Sequence, residues 1–282
     1  MGGLGNQMFQ YACGKAVAHR LGAELYLDLS WFKDGNRTFM LDAFPNIHYS
    51  QNIQENNGPA RRSIVKKIMR RIGLYTPIHS LQEPGYSYWP EIENIQSSAH
   101  LSGYWQNEKY FLDSSSVIRQ NFQFCELSCP KAENVAQKIK ASSRSIGIHI
   151  RRGDYVENAS TNSFHGICCL EYYSKALQRL TEGNNTPPDI FIFSDDPVWA
   201  KNNFNAHGYP SEVVDIPSHE DAPYHDMHLM SLCKHLITAN SSFSWWAAWL
   251  SDKNGTIIAP KRWFAEETMR HHNPSPSSWI TI

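Results

Sequence analysis

The chain has 282 residues, 41% of them hydrophobic and 19% charged, with a net charge of −1. That length suits two domains of ordinary size, and the balance describes a globular protein. Near-neutral charge supplies no field for nucleic acid, and the basic and aromatic residues do not interleave as a single-strand binder requires.

Phe9, Ala12, Cys13, Ala16, Val17 and Leu21 recur at helical spacing, with Gly22 as a stop. Ahead of them, Gly2-Gly3-Leu4-Gly5-Asn6 is glycine-rich but fits neither a GxGxxG nor a Walker pattern, and alone it is weak evidence. Leu25 to Leu27 reads as a strand. Residues 30–100 are irregular and rich in Asn, Pro and aromatics, which predicts loops and short helices over a cleft. Within them Arg61, Arg62, Lys66, Lys67, Arg70 and Arg71 alternate with Ile64, Val65, Ile68, Met69 and Ile72, an amphipathic basic helix over 61–72. An ordinary solvated face is its first reading and an anionic membrane surface its second. Leu101 to Trp105 predicts a strand, Glu108 onward a helix, and Ser128 to Lys140 a polar bridge. From Ser145 the pattern is regular. Strands at 145–150, 190–193, 213–216, 236–239 and 256–259 alternate with helices near 170–181, 197–204, 225–235 and 243–250, as in a parallel α/β protein. The apolar run Trp245 to Leu250 is too short to cross a bilayer. Cys13, Cys125, Cys129, Cys168, Cys169 and Cys233 lack zinc spacing and read as free thiols.

Chemistry concentrates at three strand ends. Along 145–150, Ile146, Ile148 and Ile150 face one way and Gly147, His149 and Arg151 the other. His149 and Arg151 therefore emerge together at the carboxyl end, where open α/β sheets place ligands. Arg152 and Asp154, two apart on the other side, can pair. A guanidinium fork suits phosphate; a surface ion pair is the plainer alternative. The strand at 190–193 runs into Ser194-Asp195-Asp196-Pro197, where helix capping alone would explain Asp196. Asn240-Ser241-Ser242-Phe243-Ser244 leads into a helix whose free amides and dipole suit a pyrophosphate, with cap duty accounting for one serine. His219, His225, His228 and His235, with Asp221 and Asp226, raise the rival reading of a metal hydrolase, but no HExxH or comparable spacing is present.

His149-Ile150-Arg151-Arg152-Gly153-Asp154 matches the pattern H-x-R-R-x-D shared by α1,2-, α1,6- and protein-O-fucosyltransferases. Three more stretches narrow the match. They are Gly2-Gly3-Leu4-Gly5-Asn6-Gln7-Met8-Phe9-Gln10-Tyr11-Ala12, Gly103-Tyr104-Trp105-Gln106 and Ala239-Asn240-Ser241-Ser242-Phe243-Ser244-Trp245-Trp246-Ala247-Ala248-Trp249-Leu250. Over nearly its whole length the chain resembles the α1,2-fucosyltransferases of glycosyltransferase family 11. The resemblance implies a GT-B-like α/β architecture of two Rossmann-like domains with the donor cleft between them. Residues 1–140 would form the acceptor-side domain and 141–282 the GDP-fucose-binding domain. Family members open with an apolar strand before the glycine loop, so that first strand is expected to be missing here.

The implied activity is metal-independent, cofactor-free inverting transfer of L-fucose from GDP-β-L-fucose to the 2-hydroxyl of a galactose in a glycan. Arg151 would neutralise the leaving phosphate, assisted by His149 and by Ser241, Ser242, Phe243 and Ser244. Gly3, Leu4, Gly5 and Asn6 would reach the donor phosphate from the opposite domain. Asp195 or Asp196, the first preferred, would accept from guanine, while Arg152 and Asp154 hold the strand end in shape. Asp154, Glu157 and His165 are the candidate bases. Animal members carry a membrane anchor that this sequence does not show, so a bacterial cytoplasmic enzyme is expected, with the 61–72 helix as a peripheral contact at the inner membrane face. A non-catalytic sugar-nucleotide binder is the second reading, and the His/Asp metal hydrolase the third.

Overall fold

The glycine loop leads directly into α1 (Leu4–Leu21), in which Leu4, Met8, Phe9, Tyr11, Ala12 and Cys13 are buried. Gly22 closes the helix in the left-handed conformation (φ 59°), where a side chain would be strained. The computed structural model describes residues 1–33, 37–51, 79–153, 163–216 and 222–282. The basic segment 61–72, Asp154, Glu157, His219 and Asp221 lie outside the described residues.

In the first half, β1 (Tyr26–Leu27) pairs with β2 (Ser50–Gln51), and β3 (His79–Gln82) with β4 (Ala99–Ser102), all parallel. Among the described residues these remain two separate two-stranded sheets. The strand expected at 101–105 ends at Ser102. The Glu83 carboxylate accepts the N–H groups of Tyr104 (2.7 Å) and Trp105 (2.9 Å) through one oxygen, and Trp105 turns into the left-handed region at φ 56°. The chain after Glu108 is first two 3-10 turns, and the α-helix α2 begins only at Ser115 (Ser115–Asn121).

The polar bridge is a helix, α3 (Pro130–Ala141). Its buried Ala132, Val135, Ala136 and Ile139 recur at i, i+3, i+4 and i+7 beneath a polar face. After it come β5 (Ser145–Ile150), α4 (Leu170–Thr181), β6 (Asp189–Ser194), α5 (Pro197–Asn203), β7 (Ser211–Val214), α6 (Ala222–Leu232), β8 (His235–Ile237), α7 (Ser242–Leu250), β9 (Ile257–Ala259) and β10 (Ile280–Thr281). Strand β7 lies two residues earlier than expected because Ser211 pairs with Ile190 and Glu212 with Phe191. At a sheet edge these polar residues keep one side in solvent, so the apolar run alone misplaces the strand.

The six strands form one parallel sheet in the order β10-β9-β8-β5-β6-β7. From β5 the chain winds outward through β6 and β7, then returns to the other side of β5 at β8. The winding direction therefore reverses between β5 and β8, and a crevice opens outside their carboxyl ends. Ile146, Ile148 and Ile150 pack with Tyr173, Ala176 and Leu177 of α4. The opposite face belongs to a larger core that joins Phe191, Phe193 and Leu236 to α6, α7 and α1.

Helices α1 and α7 meet at their first turns. A Cβ placed on Gly5 would lie 2.5 Å from the carbonyl carbon of Ser242 and 2.7 Å from the nitrogen of Phe243. Behind this contact Phe9 packs on Trp245 and Trp246 with ring centroids 4.5 and 5.0 Å apart, and Phe111 stacks on Trp246 at 5.3 Å. No helix of the described residues is long and apolar enough to cross a membrane.

Gly5→Ala should destabilise the protein by about 1–3 kcal/mol through overpacking at this seam. At Gly3 an added Cβ meets nothing within 4 Å, so Gly3→Ala should cost at most the roughly 1 kcal/mol of a poorer helix cap. Melting temperatures of the two variants check this. Equal melting of both would show that the seam has slack.

Candidate active site

Three strand ends and one foreign helix converge on the crevice. Arg151 follows β5, and its Nη1 lies 2.8 Å from Oδ2 of Asp195, which follows β6. The other oxygen of Asp195 accepts the N–H of Arg152 at 2.8 Å. Gly153 makes room for this clamp, since a Cβ there would fall 2.6 Å from the same Oδ2. The Arg152 guanidinium instead lies over the Trp199 ring, 3.7 Å from its centroid. Asp196 caps α5, accepting the Trp199 N–H at 2.9 Å. Of the two acids, Asp196 thus has the helix-capping role, and Asp195 holds Arg151 with both oxygens already engaged.

His149 is buried, and its ring lies 5.3 Å from that of Phe243. Among the described residues its Nδ1 has no hydrogen-bond partner. Burial, and then the neighbouring Arg151 charge, pushes its pKa down to about 3. The imidazole is therefore neutral at physiological pH and brings no charge to a phosphate.

At the start of α7, Ser241 accepts the Phe243 N–H at 3.3 Å. The Ser244 hydroxyl is buried against Ala239 and Ser241. Among the described residues the Ser242 hydroxyl makes no hydrogen bond, so it is the serine of this turn left for a ligand. Asn240, absent from the sequence-based set, ties the turn down. Its amide donates to the carbonyls of His165 (2.8 Å), Gly166 (3.2 Å) and Trp263 (3.1 Å). His165, the described member of the three candidate bases, is thereby fastened to the 240–244 turn, with Phe164 and Phe264 against its ring.

Gly3, Leu4, Gly5 and Asn6 come from the first half of the chain. Gly5 stands against Ser242 and Phe243, so the free amides of α1 and α7 sit side by side. Asn6 accepts a hydrogen bond of 2.8 Å from Gln106, joining the glycine loop to the Gly103-Tyr104-Trp105-Gln106 stretch. Gln7 is buried, donating to the carbonyls of Gly2 and Thr38 and accepting from the Met40 N–H.

Of the histidine-rich stretch, the described His228 and His235 have separate surroundings. His228 stacks on Phe124 (4.5 Å), and burial pushes its pKa down to about 4. His235 accepts the Thr256 N–H at the opposite, amino end of the sheet. Among the described residues no three His, Cys, Asp or Glu side chains group as a metal site. Asp226, on the first turns of α6, has one buried oxygen without a hydrogen bond among the described residues. Burial and then Asp215 raise its pKa to about 7.

The sequence model of Glycosyl transferase family 11 matches residues 64–282. The chain belongs to this family. It is 34% identical to an alpha-1,2-colitosyltransferase of Escherichia coli, across 100% of this chain and 96% of that one. It is 32% identical to the O-antigen biosynthesis glycosyltransferase WbnK of Escherichia coli, across 100% and 98%. Among solved structures, a mutant of Arabidopsis thaliana FUT1 in complex with GDP superposes with a TM-score of 0.51 at 13% identity, covering 99% of this chain and 74% of that one. That likeness is one of fold. The family member described here is thus a glycosyltransferase with a parallel α/β sheet, as the sequence motifs implied.

Two measurements probe the site's electrostatics. Asp195→Asn keeps the shape but removes the charge that holds Arg151, and should lower kcat about 10- to 100-fold through misplacement of the guanidinium. Unchanged turnover would remove Asp195 from the clamp. His149 stays neutral in the folded protein down to about 3, while the unfolded chain takes up its proton near 6.5. The unfolded state binds more protons between these values, so stability is full above the upper one and lost as pH falls toward the lower. His149→Phe should flatten that part of the acid-unfolding curve.

Proposed function

We propose that this chain transfers L-fucose from GDP-β-L-fucose to the 2-hydroxyl of a galactose in a glycan, with inversion and without a metal. The observation that carries this reading is the meeting of two helix N-termini, at Gly5 and Ser242, beside the Arg151–Asp195 clamp. Adjacent positive helix poles repel each other unless an anion lies between them, and a diphosphate supplies the matching charge. The GDP of the Arabidopsis structure and the names of the family relatives support a nucleotide-sugar donor. In the GT-B-like arrangement that this implies, residues 141–282 hold the nucleotide and residues 1–140 close over it from the acceptor side.

In the transfer, the acceptor oxygen forms a bond to C1 of the sugar as the C1–O bond to the β-phosphate breaks. The electron pair leaves on the phosphate oxygen, where Arg151, the amides of both helices and Ser242 receive it. Donors fixed in place before the reaction cost no reorganisation as the charge develops. The acceptor proton goes to a base among Asp154, Glu157 and His165. Contact of the 61–72 segment with an anionic membrane surface belongs to the same proposal and rests on its sequence.

A second reading is colitosyl transfer, favoured by the 34% identical relative. Colitose is L-fucose without its 3-hydroxyl. A site that hydrogen-bonds that hydroxyl rejects the analogue strongly, because a buried polar group is left unpaired. Assays with GDP-fucose and GDP-colitose against a galactoside, with the product linkage read by NMR, separate the readings. Arg151→Ala should lower kcat by about 10²–10³-fold with either donor while the fold is retained. Full turnover in that variant, or no transfer from any GDP-sugar by the wild type, would overturn the proposal.

A further inference from the structure

We infer that Gln106 is a positioning residue that fixes which way the Asn6 side-chain amide faces, presenting its NH2 group to an anion in the cleft. The inference rests on the diphosphate-binding reading above, but its geometry stands separately. Gln106 Nε2 donates to Asn6 Oδ1 at 2.8 Å. An amide has its oxygen on one side and its NH2 on the other, so satisfying the oxygen decides the orientation of both. Among the described residues Asn6 Nδ2 has no acceptor, and it sits above the Gly2 backbone, 2.7 Å from where a Cβ would be. The reversed amide would turn a carbonyl oxygen toward the anion and lose a donor.

Gln106 is itself held. It follows a turn that Glu83 pins through the Tyr104 and Trp105 N–H groups, with Trp105 in the left-handed region and its side chain only 1% exposed. A non-glycine residue persists in that conformation only where its surroundings fix it. The Gln106 side chain leaves a pinned turn and, among the described residues, meets one hydrogen-bond partner, across 100 residues of sequence.

The test uses Gln106→Ala and Gln106→Glu, alone and in an Asn6→Ala background. A glutamate cannot donate, so it accepts from the Asn6 NH2 and turns the amide over. GDP affinity by calorimetry should fall about ten-fold or more in Gln106→Glu, the scale of a lost hydrogen bond to a charged group, and less in Gln106→Ala. The loss should vanish in the Asn6→Ala background. If it persists there undiminished, glutamate repels the ligand directly and the inference is wrong. The Asn6 side-chain amide resonance, identified by its absence in Asn6→Ala, should shift in both Gln106 variants even without ligand. An unmoved resonance would overturn the coupling whatever GDP does. A wild type that fails to bind GDP would sink the donor reading, while the ligand-free resonance still decides the role of Gln106.

Discussion

The close approach of Gly5 to the Ser242–Phe243 peptide is the contact on which the rest of the site depends. It sets two helix beginnings side by side, one from each half of the chain. Like poles at that separation are unfavourable, and what holds them is the aromatic packing behind, where Phe9, Phe111, Trp245 and Trp246 bury their rings together. Hydrophobic burial in the core thus sustains an electrostatic arrangement at the surface that would not assemble alone. An anion bound there, as proposed, would meet mostly backbone, and the side chains have other duties: Ser241 and Ser244 secure the turn, and Asn240 fastens the neighbouring loop to it.

Charge is applied sparingly on this base. Arg151 is aligned by Asp195, which is oriented in turn by the Arg152 N–H. His149 beneath them is kept uncharged by burial. A second cation next to Arg151 would raise affinity for substrate and product alike. In the proposed reaction, a neutral ring would leave Arg151 and the helix amides as the main response to the developing charge.

Much of the second half could be read from its residues, because a parallel sheet buried on both faces writes itself as short apolar strands between amphipathic helices. The bounds at 145–150 and 170–181 match. The edge strand at Ser211 was displaced because edge residues follow solvent rather than the apolar pattern. Helix Pro130–Ala141 was missed although Val135, Ala136 and Ile139 carry its period, since its polar face dominates the composition. At Ser194-Asp195-Asp196 the capping role of Asp196 could be read from the Pro197 that follows it. The hold of Asp195 on Arg151 could not, because it depends on tertiary position. The same holds for Asn240, Gln106 and Glu83, whose partners lie far away in sequence.

The aromatic seam between α1 and α7 has a consequence for how the enzyme meets its donor. Ring contacts of 4.5–5.3 Å tie the two halves together at this point. The ordering entropy of bringing the glycine loop to the second half is met when the chain folds. On the proposed reading, a donor would meet two helix beginnings that the fold itself already holds together.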